Sequence, residues 1–156
     1  MDERLVPAAI VDSLSGGLGD SLVAIVLYGS RSRGRAEPDS DWDVLVIARD
    51  LAPRVLPRHV ALKRLLPPSI RGAVSLYAQT PDEIRAAMPL PSLYHDIAVD
   101  GKVLHDPTGF ATRWLSSARL DIEARGLHRE ETPHGSMWRR GAMTTGTAAD
   151  GRQPRG

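Results

Sequence analysis

The residues best suited to chemistry in this chain are Gly29-Ser30 and, after ten intervening residues, Asp41-Trp42-Asp43. In an extended strand alternate side chains share a face, so Asp41 and Asp43 point the same way. Two neighbouring carboxylates repel each other unless water screens them or a divalent cation lies between them. Magnesium suits that position, because it takes oxygen ligands and is commonly held by one or two carboxylates together with substrate phosphates. Gly29 closes the apolar run Val23-Ala24-Ile25-Val26-Leu27-Tyr28, and with no side chain it lets the backbone turn sharply and approach a ligand closely. Ser30 adds a hydroxyl and a backbone N–H where a helix or turn begins, a natural seat for phosphate. Arg31, Arg33 and Arg35 surround the turn, and a guanidinium can grip phosphate with two parallel hydrogen bonds. Each half alone is ordinary: glycine and serine after a strand make a turn, and Asp-x-Asp is common on solvated strand edges. Together, with the apolar strand Val44-Leu45-Val46-Ile47 behind the aspartates, they suit metal-assisted transfer of a nucleotide, or mark the remnant of a site for it.

On these residues the chain resembles the DNA polymerase β-like nucleotidyltransferase superfamily, and within it the minimal nucleotidyltransferase (MNT) branch of small single-domain proteins. The resemblance covers about residues 5–105. It implies an α/β (α+β) fold, a mixed sheet flanked by helices, with ATP or another nucleoside triphosphate over Gly29-Ser30. It also implies Mg2+ on Asp41 and Asp43, and a third carboxylate on a later strand. Many members of the branch are antitoxins paired with a HEPN-domain toxin, and some transfer AMP to a tyrosine of that toxin. The expected nucleotide-binding residues are therefore Gly29, Ser30, Arg31 and Arg33, and the expected catalytic and metal-holding residues are Asp41 and Asp43.

The third carboxylate is where the chain departs from the pattern. In the next apolar strand, Ala73-Val74-Ser75-Leu76-Tyr77-Ala78, the corresponding position is Ser75. A hydroxyl is a weak neutral ligand, and the third acid helps hold the metal near the attacking oxygen. Nucleotide and one metal should still bind while transfer slows. Asp82, Glu83, Asp96 and Asp100 are substitutes only if the fold brings one close.

The elements that must carry these residues alternate along the chain. A first helix is expected from about Glu3 to Leu14, with Leu5, Ala8, Ala9, Val11 and Asp12 spaced for one buried stripe broken by a polar edge. Gly16-Gly17-Leu18-Gly19-Asp20 is the expected break before the first strand. A short helix follows at about Arg58–Leu66, ended by Pro67-Pro68. Thr80-Pro81-Asp82-Glu83 carries a cap, a first-position proline and two acids for a helix to about Met88. Another helix is expected over Pro91–Val99, then Asp100-Gly101 leading into a strand at Lys102–His105, as in the family or as a plain hairpin turn. Thr108 is the expected cap of a helix to Ala124, with Phe110, Trp114, Leu115, Ala118 and Ile122 on one face.

With 156 residues the chain suits one domain, taken as residues 1–126, followed by a polar tail at 127–156 that reads as largely disordered. Trp138 is the exception in that tail, a residue expected to dock on its own domain or on a partner. Net charge is +1, with 20 basic and 19 acidic residues, so nucleic acid is not the expected main partner. There is no cysteine, which excludes disulfides and thiol-held metal. No run is long and apolar enough for a membrane span, and Met1-Asp2-Glu3-Arg4 is not a signal-peptide start, so the expected compartment is the cytoplasm. The five histidines are scattered, with no zinc-helix spacing; His95 beside Asp96 is either a base or an ordinary helix residue. The expected activity is transfer of a nucleoside monophosphate, AMP from ATP, to a hydroxyl acceptor such as a partner toxin. The competing expectation is an antitoxin or nucleotide-binding module that acts by contact, its site decayed at Ser75. A homo-oligomer is compatible with either.

Overall fold

A computed structural model of the protein describes residues 2–141. Helix α1 (Val6–Leu18) leads to strand β1 (Leu22–Tyr28), the one-turn helix α2 (Ser30–Arg33) and strand β2 (Trp42–Ala48). Helices α3 (Val55–Leu65) and α4 (Pro68–Arg71) precede strand β3 (Val74–Gln79), and α5 (Pro81–Ala86) and α6 (Ser92–Asp100) precede β4 (Lys102–His105). Helix α7 (Phe110–Ala124) is followed by strands β5 (Leu127–Thr132) and β6 (Gly135–Arg140).

The main sheet has the order β3-β2-β1-β4. β1 pairs antiparallel with β2 and β4, and β2 pairs parallel with β3. The sheet is therefore mixed, and its two central strands are covered on both sides. Ile25, Leu27, Val44 and Val46 pack with Ile10 and Leu14 of α1 and Leu62 of α3. Val26, Leu45 and Ile47 pack with Ile97 of α6 and with Leu115 and Ala118 of α7. A strand buried on both faces must be apolar at every position, which is why β1 and β2 read as continuous hydrophobic runs.

Several expectations shift. Helix α1 buries Val6, Ile10 and Leu14 and leaves Leu5 exposed, so the stripe follows an i, i+4, i+8 row. It continues through Gly16 and Gly17 to Leu18. There the expected break is instead a packing device: a Cβ on Gly17 would lie 2.5 Å from a methyl carbon of Leu65, so glycine lets α1 and α3 touch. The α5 cap forms as read, with Glu83 N–H donating to Thr80 Oγ1 at 3.1 Å and Thr80 N–H to Glu83 Oε1 at 2.8 Å. The α7 cap does not. Asp106, rather than Thr108, accepts from the N–H groups of Ala111 and Thr112 at 3.0 and 2.9 Å, its charge favoured at a helix start. β4 joins the sheet edge beside β1 and makes no hairpin with what precedes it. Residues 127–140, read as polar tail, form an antiparallel hairpin; the rest of that tail, 142–156, lies outside the described residues.

Candidate active site

The site forms at one end of the sheet, where β1 stops. Gly29 adopts φ +76°, and its carbonyl accepts from the N–H groups of Ser32 and Arg33, both at 3.1 Å. Those bonds start α2, and Gly34 at φ +73° ends it after one turn. A Cβ on Gly29 would run into the Asp43 carboxylate. The turn and the aspartate are thus in direct contact, so only glycine serves there on both conformational and steric grounds.

Across the sheet, Ser75, Asp43 and Tyr28 lie in register on β3, β2 and β1. Burial pushes the Asp43 carboxyl above the usual carboxylate range, the charge of Asp41 adds to that, and Arg33 partly offsets both. Burial, with Asp43 nearby, pushes the Tyr28 hydroxyl up to about 12. A divalent cation fits here: it would relieve the repulsion that raises Asp43, and Asp41 and Asp43 supply the oxygen donors it prefers. Among the described residues no group of three or more acids or histidines is placed to hold a metal alone, so nucleotide phosphates would complete its shell.

Ser75 is exposed and lies in register with Asp43, and the acids considered as substitutes for it are paired with arginines. Asp82 pairs with Arg85 on the surface, and Glu83 with Arg58. Asp100 accepts from Arg33 Nη1 at 3.0 Å and from both terminal nitrogens of Arg129 at 2.7 and 3.0 Å. Burial alone would raise Asp100, but Arg129 and then Arg33 outweigh it and hold the carboxyl below its ordinary value. Asp96 accepts from Arg129 at 3.2 Å and from the Trp138 indole N–H at 2.9 Å. Trp138 therefore docks on its own domain, beside the His95 ring at 5.2 Å between centroids.

Arg31, expected on phosphate, does something else. Its Nε and Nη2 donate to the Ser40 carbonyl at 3.2 and 3.0 Å, and its guanidinium lies 4.6 Å from the Trp42 ring centre. With 8% of its side chain exposed and Glu3 as ion partner, it staples the loop between α2 and β2. Arg33 instead faces a cleft of about 620 Å3 with Arg35, Lys102, Arg129, Asp100 and Glu131. Lys102 and Arg129 escaped the sequence reading because nothing in their spacing ties them to residue 29; only the Asp96, Asp100 pair, four apart on a helix, was a visible sign. His95 is buried, neither ring nitrogen has a hydrogen-bond partner, and burial lowers its pKa. It belongs to the core under Trp138.

A mixed sheet with helices on both faces, ending in a glycine-serine turn against paired aspartates, defines a nucleotidyltransferase fold. Residues 10–91 match the nucleotidyltransferase domain family, and the chain belongs to it. A relative from Methanocaldococcus jannaschii, MJ1305, which bears the name of a protein adenylyltransferase, is 38% identical over 69 residues, 42% of this chain and 47% of that protein. The chain thus spans about half the length of that curated relative. Among solved structures, one chain of a toxin–antitoxin crystal structure with AMP-PNP superposes with a TM-score of 0.53 at 24% identity, over 76% of this chain and 91% of that one. A mutant of the toxin–antitoxin MntA–HpeT gives a TM-score of 0.52 at 22% identity with the same coverage. Both share the fold.

Proposed function

We propose that the protein is a metal-dependent nucleotidyltransferase that moves AMP from ATP to a hydroxyl on a partner protein, by family resemblance a HEPN-type toxin. The observation that carries this reading is the contact between the Gly29 turn and the Asp43 carboxylate. It supports the reading because the turn proposed to seat phosphate touches an aspartate proposed to hold the metal, an arrangement that suits transfer at an α-phosphate. Support for the acceptor class comes from the adenylyltransferase name of MJ1305 and from the toxin–antitoxin assemblies that share the fold. Mg2+, held by Asp41 and Asp43, would supply charge neutralisation at the phosphates. The protein's own part is positioning: Ser30 and the backbone of the turn orient the phosphates, and Arg33 offers them its guanidinium. The acceptor oxygen forms a bond to the α-phosphorus, the bond to the bridging oxygen breaks, pyrophosphate leaves, and the acceptor proton goes to solvent.

A second reading, an antitoxin acting by contact, is favoured by Ser75. Ser75 puts a hydroxyl opposite Asp43, and Asp82, Glu83, Asp96 and Asp100 are each paired with an arginine, which supports a site short of its third acid. Incubation of the protein with α-labelled ATP, Mg2+ and the product of the adjacent gene separates the two. Label on protein, lost in Asp43→Asn, is the expected result. Tight binding of the neighbour with no label would establish the contact reading.

A further inference from the structure

Arg33 opens onto a cleft that the family motif does not account for. Its lining takes Ser32, Arg33 and Arg35 from α2 and the loop beyond it, Asp100, Gly101 and Lys102 from the α6–β4 junction, and Arg129 and Glu131 from β5. Most of those positions lie past residue 91, where the family match ends. The volume, about 620 Å3, falls in the range of small-molecule sites. Four cations face two carboxylates, and the carboxylates are not equivalent. Asp100, with 5% of its side chain exposed, is already satisfied by two arginines. Glu131 meets Arg35 only at 3.7 Å with both side chains about two-thirds exposed, a contact of little worth in water. Lys102 has no ion-pair or hydrogen-bond partner among the described residues. The cleft therefore presents uncompensated positive charge, and Ser32 places its mouth within one helical turn, about 5 Å, of Ser30.

We infer that this cleft receives the polyphosphate tail of the nucleotide, with Lys102 and Arg35 as binding residues beside Arg33, and Arg129 holding Asp100 so that it does not oppose the ligand. The inference rests on the nucleotide reading of the Gly29 turn and deepens it. With the α-phosphate at Asp41 and Asp43, the β- and γ-phosphates run past Arg33 towards the edge of the sheet at β4. The charge that develops on the leaving pyrophosphate then meets cations already fixed in place. It also supplies the grip that Arg31, committed to the Ser40 carbonyl and Trp42, cannot.

The test is calorimetric titration of the full chain with ATP, AMP and inorganic tripolyphosphate, with Mg2+ at fixed ionic strength, for the parent and for Lys102→Ala and Arg35→Ala singly and together. Both side chains are exposed, and unchanged thermal unfolding would show that the variants fold. The expected result is weaker binding of ATP and tripolyphosphate by about tenfold per lost charge-assisted contact, with AMP unaffected. Unchanged ATP affinity in the double variant overturns the inference and leaves the nucleotide reading standing. Loss of partner binding with unchanged ATP affinity overturns it too, in favour of an acidic segment of the partner as occupant. A parent chain that binds neither ATP nor tripolyphosphate overturns the inference and the nucleotide reading together.

Discussion

At the scale of single residues, the site is built from groups held against their own preferences. Gly29 has a backbone conformation that side chains rarely adopt and a carboxylate where a Cβ would go. Gly29→Ala should cost about 1–3 kcal/mol in denaturant unfolding and weaken ATP binding as well. A variant with parental stability and affinity would mean the turn is not constrained as described. Asp43 pays a similar penalty in charge. Its carboxyl titrates above the usual range in the fold, so the neutral form is the favoured one. Its contribution to stability is full at acid pH and is lost as pH rises through the raised value. Asp43→Asn should therefore melt higher than the parent at pH 7 without divalent ions, and the gap should close below about pH 4, near the ordinary carboxylate value; equal melting at pH 7 would remove this account of the site. How far such residues can be read from sequence is uneven. That Gly29 and Asp43 meet could be read from sequence because they end and begin two consecutive strands, β1 and β2, that pair side by side. Arg31 and Arg33 look equivalent in sequence, two apart in one basic run. On a single helical turn they project in different directions, and one ends in the loop while the other faces the cleft.

At the scale of elements, the hairpin of β5 and β6 is the part whose attachment decides most. It is tied to α6 by Arg129 on Asp96 and Asp100 and by Trp138 on Asp96, and through Asp100 to Arg33 of α2. Asp100 titrates below its ordinary value, so its contribution is present above the unfolded value and lost as pH falls through the folded one. The hairpin should release in acid, below about pH 4, before the sheet melts. Trp138→Ala should advance that release and raise amide exchange across residues 127–140 with the β1 and β2 amides still protected. Uniform loss of protection would mean that hairpin and sheet unfold as one unit. The hairpin escaped sequence reading because β5 is almost wholly polar and β6 has only Met137 and Trp138 as apolar residues. Its order comes from one indole and one arginine finding partners some thirty to forty positions upstream. α5, by contrast, was legible to the residue, since a capping box is a local device.

At the scale of the molecule, the sheet carries Ser75, Asp43 and Tyr28 in one row across three strands, and the row is short of a carboxylate. Ser75→Asp would add one beside an aspartate that already resists ionising. Without metal, that variant should melt lower than the parent at pH 7; with Mg2+ it should recover more than the parent does, and bind the ion about tenfold more tightly, since affinity follows ligand charge. Thermal melts across a Mg2+ series check this, and a variant whose melting ignores Mg2+ would place the missing acid, and the metal, elsewhere. The parallel pairing of β2 with β3 is what brings residue 75 to residue 43, through a crossover that contains α3 and α4.

The sequence by itself determined the nucleotidyltransferase family and the four strands of the main sheet. Those follow from apolar runs, turn glycines and a motif whose members are near neighbours in the chain. The tertiary structure alone decided which cations face the cleft, that Asp96 and Asp100 are engaged by Arg129, that Trp138 clasps its own domain, and that Asp82 and Glu83 pair with Arg85 and Arg58. Each of these depends on side chains brought together across dozens of residues, where partner choice is set by packing and charge in three dimensions and leaves no periodic trace along the chain.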